Sequence, residues 1–407
     1  MAQSRLEQGF DLFKDAYAQR AENLSVSEVR ALFATVSRPE VVSLAGGMPD
    51  VSALDNEFIR TAFESLMKNR SQFALQYGPG QGDAKLREQI LEIMALEGIQ
   101  GSVENLMITT GSQHALELIA DLFLDQGDVA LVEAPSYVGA VGIFRHKEAH
   151  IEHVYTDSDG ISPEAVAEAV DRLIADGKKV KLLYLVPNFA NPSGVTLSEE
   201  RRDKLIAVCK ERGILIVEDN PYGLLYFDGK PPQALRARDA DSVVYLGSFS
   251  KILSPGLRVG YVLAPPAIRE KLILANESAV LSPATFAQML ISEYLSICDW
   301  QKQIADYRGL YKTKRDAAIW ALNEYLPDVE TTMPAGGFFL WVSLPEGING
   351  KEMLPIAVEE LVAYTPGTAF YGDGRGKEFI RVCFSHPTAD NVKVGIQRLA
   401  KAIERSR

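Results

Sequence analysis

The most constraining feature of this chain is a series of short, almost wholly apolar runs, each followed by a polar turn. The runs are Met107-Ile108-Thr109, Val129-Ala130-Leu131-Val132, Leu182-Leu183-Tyr184-Leu185-Val186, Ile214-Leu215-Ile216-Val217, Val243-Val244-Tyr245-Leu246 and Val259 to Leu263. A strand with one wet face alternates apolar and polar residues, whereas a strand buried on both faces does not. Helical stretches lie between several runs. One is opened by the turn Gly111-Ser112-Gln113 and covers Ala115 to Leu124; another is capped by Ser198 and runs through Cys209. Alternating strands and helices predict an α/β domain around a largely parallel sheet. Ligands of such sheets sit beyond the carboxyl ends of the strands. Ser112, Asn191, Asp219 and Lys251 each lie just after a run, which points to one site at that edge.

The flanking segments complete the outline. The stretch up to about Val36 reads as helix, with Val26, Val29, Leu32 and Phe33 at helical spacing and Ser25 or Ser27 as N-cap. A short strand over Val41 to Leu44 leads into the turn Ala45 to Asp50, which contains Gly46 and Gly47. After the irregular Gln76 to Gly82, Asp83 caps a helix with apolar positions Leu86, Ile90, Ile93 and Met94, ended by Gly98. A long helical stretch from about Ser282 to Tyr325 would link the sheet to a smaller α+β domain. There, a strand follows the pair Gly336-Gly337, a second covers Phe379 to Phe384 with Arg381 amid apolar residues, and a helix from about Ala389 to Ile403 closes the chain. The expected division is 1–48 as an N-terminal arm and part of the small domain, 49–290 as the large domain and 291–407 as the small C-terminal domain.

Composition excludes several classes. A chain of 407 residues suits one large and one smaller domain. Its net charge of −12 argues against nucleic-acid binding, which favours a basic excess. Cys209, Cys298 and Cys383 show no CxxC spacing and suit a reducing compartment. The N-terminus lacks an apolar signal core, and the longest apolar candidate, Ala115 to Leu124, is interrupted by Glu117 and Asp121. A cytoplasmic protein without membrane contact is expected. His146, His150 and His153 have helical spacing, but Val154-Tyr155 follows and the stretch reads as a helix end running into a strand, so no metal site is expected. Neither HExxH nor a Ser/His/Asp order occurs.

The chemistry concentrates on Ser248-Phe249-Ser250-Lys251 and Arg258. A lysine at the mouth of a strand can act as an amine nucleophile toward an aldehyde. Serines and an arginine beside it can hold an anion such as a phosphate. The N–H groups opening the helix at Gly111-Ser112-Gln113 favour an anion too.

These motifs, with Asn191-Pro192-Ser193-Gly194 and Asp219-Asn220-Pro221-Tyr222 in this order, resemble those of fold-type-I pyridoxal-phosphate (PLP) enzymes of the class I/II aminotransferase group. Within the group, the chain is most similar to the branch of 2-aminoadipate, kynurenine and broad-specificity aromatic or branched-chain aminotransferases. The resemblance runs from Leu44 to Arg381. It implies the PLP-transferase type I fold, with a large domain that has helices on both faces of its mostly parallel sheet, and a smaller α+β domain. It makes Lys251 the amine that joins the PLP aldehyde and later moves the substrate proton. Asp219 would keep the ring nitrogen protonated, Asn191 and Tyr222 would bind the ring hydroxyl, and Tyr137 would stack on the ring. Ser112, Gln113, Ser248, Ser250 and Arg258 would bind the phosphate, with Tyr77 reaching the phosphate of a neighbouring subunit. Arg381, assisted by Asn188, would take the substrate carboxylate, and Gly46 and Gly47 would leave room for substrate. The implied partners are an L-amino acid, a 2-oxo acid such as 2-oxoglutarate, and a second copy in a homodimer with shared active sites. A β-eliminating PLP enzyme such as a C–S lyase, and a non-catalytic PLP-binding regulator, are the alternatives. Only about forty residues precede Leu44 and they are not basic, which speaks against the regulator's DNA-binding domain. The side-chain pocket stays open, with Arg20 and Arg30 as available cations.

Overall fold

The computed structural model describes residues 13–18, 20, 21 and 38–407. The helix expected before Val36 lies outside the described residues. Thirteen strands follow in chain order: β1 (Val42–Ser43), β2 (Leu106–Thr109), β3 (Val129–Ala134), β4 (His150–Asp157), β5 (Gly160–Ile161), β6 (Val180–Leu185), β7 (Leu215–Asp219), β8 (Val243–Ser248), β9 (Gly260–Leu263), β10 (Phe339–Ser343), β11 (Val362–Ala363), β12 (Thr365–Pro366) and β13 (Phe379–Cys383). Eight form the main sheet, in the order β2-β9-β8-β7-β6-β3-β4-β5. The central pairs β4/β3, β3/β6, β6/β7 and β7/β8 are parallel.

The apolar runs are buried on both faces, as their composition demands. Val129, Leu131, Leu183, Leu185, Ile216 and Val243 face one apolar cluster, built with Val166, Val170 and Leu173 of helix Pro163–Ala175 and Leu205 and Cys209 of helix Glu199–Glu211. Their alternates Ala130, Val132, Leu182, Tyr184, Val217 and Val244 face the other, with Ala115, Leu116 and Ile119 of helix Ser112–Phe123 and Phe144 of helix Val138–His146. Ser198 holds the N-cap position of its helix but makes no side-chain cap bond. Asp83 does cap, accepting from the Leu86 N–H.

The departure that matters for the site is β9. It runs antiparallel to both β8 and β2. The chain therefore leaves β8 at the carboxyl edge, makes the Lys251–Arg258 loop there, and enters β9 from the same edge. Gly260 at the start of β9 lies opposite Thr109 at the end of β2. Lys251, Arg258 and the helix opened at Ser112 thus meet at one rim.

The expected single helical stretch from Ser282 to Tyr325 is two helices, Thr285–Ile297 and Trp300–Tyr325. Cys298 is extended and Asp299 caps the second helix through the Lys302 N–H. The first helix packs on helices Asn56–Ala74 and Ala84–Ala95. β10, β13 and β12 form an antiparallel sheet with β13 in the middle, and β1 pairs with β11. The imidazoles of His150 and His153 stand on β4, and no group of metal ligands occurs among the described residues. Among those residues no helix is long and apolar enough to cross a membrane.

Candidate active site

One cavity of about 770 Å³ opens at the carboxyl edge of the main sheet. Gly47, Ser112, Gln113, Tyr137, Asn191, Asp219, Tyr222, Ser248, Ser250, Lys251, Arg258 and Arg381 all line it. Residues read from segments far apart in sequence are therefore brought together by strand ends.

The Lys251 amine donates to the Gly47 carbonyl at 2.9 Å. Burial, with Arg381 and Arg258 adding repulsion, lowers its pKa to about 8. Asp219 terminates β7. One carboxylate oxygen, Oδ2, accepts from the Tyr184 hydroxyl at 2.8 Å, while Oδ1 is buried and has no partner among the described residues. Burial raises the Asp219 pKa to about 6, against the Tyr184 bond and the Lys251 charge. An orphaned carboxylate oxygen at the cavity wall is suited to a cationic donor such as a protonated ring nitrogen.

The anion-binding corner is built from backbone as much as side chains. Gly111, at φ +80°, is the N-cap of helix Ser112–Phe123, a conformation that favours glycine. A Cβ at Gly260 would lie 2.4 Å from the Ser112 nitrogen, so β9 and this helix start approach as closely as backbones can. Arg258 sits in the left-handed region at φ +53° and reaches Ser250 Oγ at 3.5 Å. Ser250 N–H donates to Ser248 Oγ at 3.1 Å. The result is a positive helix end, two hydroxyls and a guanidinium at one place, a cradle for a phosphate.

Tyr137 precedes helix Val138–His146, and its hydroxyl lies 3.3 Å from Gln113 Oε1; burial pushes its pKa up to about 12. Tyr222 is buried, its pKa raised by desolvation, and its ring packs edge-on against Phe338 and Phe339.

Arg381 lies on the central strand β13 and is 2% exposed. Phe339 and Phe370 flank its guanidinium, at 4.5 and 4.8 Å from the ring centroids. Nη1 donates to Asn191 Oδ1 at 2.6 Å, and Nη2 donates to the Ala45 carbonyl and to Thr365 Oγ1. Its Nε is buried without a partner. No carboxylate pairs with it among the described residues, which leaves a buried cation ready for an anionic ligand.

Two expected residues stand elsewhere. Asn188 is fully buried and does not line the cavity; Arg202 and Asn220 occupy its side chain. The structure therefore does not bring Asn188 together with the cavity residues expected to meet a substrate carboxylate. Tyr77 is 78% exposed and lies outside the cavity of its own chain. Gly46 is not in the cavity wall, whereas Gly47 is. Sequence reading missed Tyr184, Thr365, Phe339 and Phe370. Tyr184 carried a signal: a tyrosine in an aliphatic strand needs a partner for its hydroxyl.

Fold and site together define an enzyme for a cofactor that carries an aldehyde, a ring nitrogen and a phosphate, and the donors present fit PLP. The profile of the family "Aminotransferase class I and II" matches residues 39–399, and the chain belongs to this family of PLP-dependent aminotransferases. It is 38% identical over 395 residues to the aromatic-amino-acid aminotransferase 1 of Thermococcus litoralis, covering 96% of this chain and 95% of that one. The kynurenine aminotransferase of Pyrococcus horikoshii, solved with PMP, superposes with a TM-score of 0.92 at 38% identity, covering 97% and 99% of the two chains. The α-aminoadipate aminotransferase LysN of Thermus thermophilus, complexed with N-(5'-phosphopyridoxyl)-L-leucine, gives 0.89 at 33% identity, covering 97% and 98%.

Proposed function

We propose that the protein moves the α-amino group of an L-amino acid with an aromatic, branched-chain or 2-aminoadipate-like side chain to a 2-oxo acid such as 2-oxoglutarate. The observation that carries this reading is Arg381, a buried guanidinium without a carboxylate partner among the described residues, in the same cavity as the Lys251 amine. The names of the similar aromatic-amino-acid, kynurenine and α-aminoadipate enzymes support the donor classes.

PLP supplies an electron sink for the bonds of the substrate α-carbon. The chain's own groups do the rest. Ser112, Gln113, Ser248, Ser250 and Arg258 would hold the phosphate. Asp219 Oδ1 would meet the ring nitrogen, Asn191 and Tyr222 would meet the ring hydroxyl, and Tyr137 would cover the ring face. Lys251 is the amine that would hold the aldehyde. Once released, its amine takes the proton from the α-carbon and returns it, with the Gly47 carbonyl orienting it. A pKa of about 8 leaves part of the amine neutral near physiological pH. Arg381 fixes the α-carboxylate, which sets the α-carbon over the lysine.

The site is completed by a second copy. Phe73, Leu75, Tyr77 and Leu281 are exposed large apolar residues. Gly78, next to Tyr77, lies against Thr285, so the chain segments that carry these residues approach each other. Such a patch suits a homodimer in which Tyr77 reaches the partner's phosphate corner.

The test is a panel of amino donors against 2-oxoglutarate, with glutamate as the readout. Aromatic and 2-aminoadipate-like donors are expected to yield glutamate. Pyruvate and ammonia from β-substituted donors, with no glutamate from any, would replace this reading with elimination.

A further inference from the structure

The contacts that remove Asn188 from the cavity lead to a buried polar relay behind it. Arg202 has no exposed surface. Its Nη2 donates to Asn188 Oδ1 at 2.6 Å and to the Leu197 carbonyl at 2.9 Å; Nη1 donates to the Gln233 carbonyl at 2.8 Å. Asn188 and Leu197 are the two ends of the loop that presents Asn191 to Arg381. From Asn188 the relay continues inward. Asn188 Nδ2 donates to Asn220 Oδ1 at 3.0 Å, Asn220 Nδ2 donates to Glu97 Oε1 at 2.6 Å, and the Tyr245 hydroxyl donates to Glu97 Oε2 at 2.6 Å. Asn220 is the neighbour of Asp219, and its own N–H is fixed by the Leu246 carbonyl. All the relay residues are buried.

The direction of this relay is determined by its first member. An arginine can only donate, so Asn188 must turn its oxygen to Arg202 and its amide to Asn220. Asn220 is oriented in turn, so position 97 must accept from it, while the Tyr245 hydroxyl donates to the other Glu97 oxygen. The ionised Glu97 carboxylate, the form above its raised pKa of about 8, does so without a leftover donor.

We infer that Arg202, Asn188, Asn220 and Glu97 form a positioning unit that sets Asn191 and Asp219 against the cofactor. It ties the loop after β6 to the end of β7, so the groups meeting the ring hydroxyl and the ring nitrogen share one scaffold. This inference rests on the aminotransferase reading above.

Polarity reversal tests it. Asn188→Asp keeps the bond to Arg202 but sets an acceptor against Asn220 Oδ1. Asn220 must then turn over and present its oxygen to Glu97; burial raises the Glu97 pKa to about 8, so above that pH two acceptors clash there. Glu97→Gln supplies an amide donor for the turned Asn220 while its oxygen still accepts from Tyr245. Wild type, Asn188→Asp and the double variant, all loaded with PLP, are compared above pH 8, where Glu97 is ionised, by Tm and by kcat and KM, and by the pH midpoint of the cofactor's visible absorption. Asn188→Asp is expected to lower kcat/KM about tenfold or more and to move the pH midpoint; the double variant is expected to recover to within about threefold and restore the midpoint. A double variant as impaired as Asn188→Asp overturns the inference. So does an Asn188→Asp that lowers only Tm and keeps the midpoint and kcat/KM of wild type. If Asn188→Asp does not fold, Asn188→Ala breaks the same link without a new buried charge; an unchanged midpoint and KM there overturns it equally. Failure of the aminotransferase reading shows separately, as a wild-type protein that binds no PLP and transfers no amino group.

Discussion

Lys251 is held in two ways, by the hydrogen bond to the Gly47 carbonyl and by an environment that disfavours its charge. A lysine in water loses its proton near 10.5, whereas this one does so at about 8. In the cofactor-free protein, labelling of Lys251 by an amine-directed acylating reagent, followed by peptide mass spectrometry, is expected to rise with a midpoint near pH 8. A midpoint near that of surface lysines would remove the burial argument. Between these two pH values the unfolded chain binds more protons at this site, so the site's contribution to stability grows as pH rises. Individual site residues were legible where a residue type carries one chemistry. Lys251, Asp219, Asn191, Tyr222, Arg258 and Arg381 follow strand ends or interrupt apolar runs, and all line one cavity. Asn188 was not legible, because an asparagine serves a ligand or a buried arginine equally well. Its partner Arg202 lies in Glu199-Glu200-Arg201-Arg202, a charge run that reads as a solvated helix face.

At the level of elements, the site depends on β9 turning back at the carboxyl edge. This turn puts Gly260 against the N-terminus of helix Ser112–Phe123 with no space for a side chain. Gly260→Ala is expected to push the helix start away, at a cost of about 1–3 kcal/mol in stability by overpacking. It should also weaken PLP binding, measured by equilibrium titration of the cofactor-free protein. Wild-type affinity with unchanged Tm would contradict the close-packed phosphate corner. The antiparallel course of β9 was not readable from sequence, because an apolar run looks the same in either direction. The break between Thr285–Ile297 and Trp300–Tyr325 was equally hidden: Asp299 is a good N-cap, but one aspartate in a long periodic stretch is a weak stop signal. The parallel strands and the helices of the main sheet were plain, because burial on both faces demands uninterrupted apolar runs.

At the scale of the whole molecule, the functional proposal predicts a two-copy form. Phe73→Glu together with Leu281→Glu places charges in the exposed apolar patch. This double variant is expected to sediment as a monomer and to hold PLP less tightly, since the phosphate would lose the partner's tyrosine; a wild-type protein that is itself monomeric would exclude the shared site. The central claim is that amino-group transfer takes place at Lys251. The most direct measurement uses an ¹⁵N-labelled aromatic amino acid with 2-oxoglutarate, comparing wild type with Lys251→Ala. Wild type is predicted to deliver the label to glutamate, and Lys251→Ala, though still able to hold the cofactor, is predicted to deliver none above background. Labelled glutamate formed by Lys251→Ala at the wild-type rate would contradict the account.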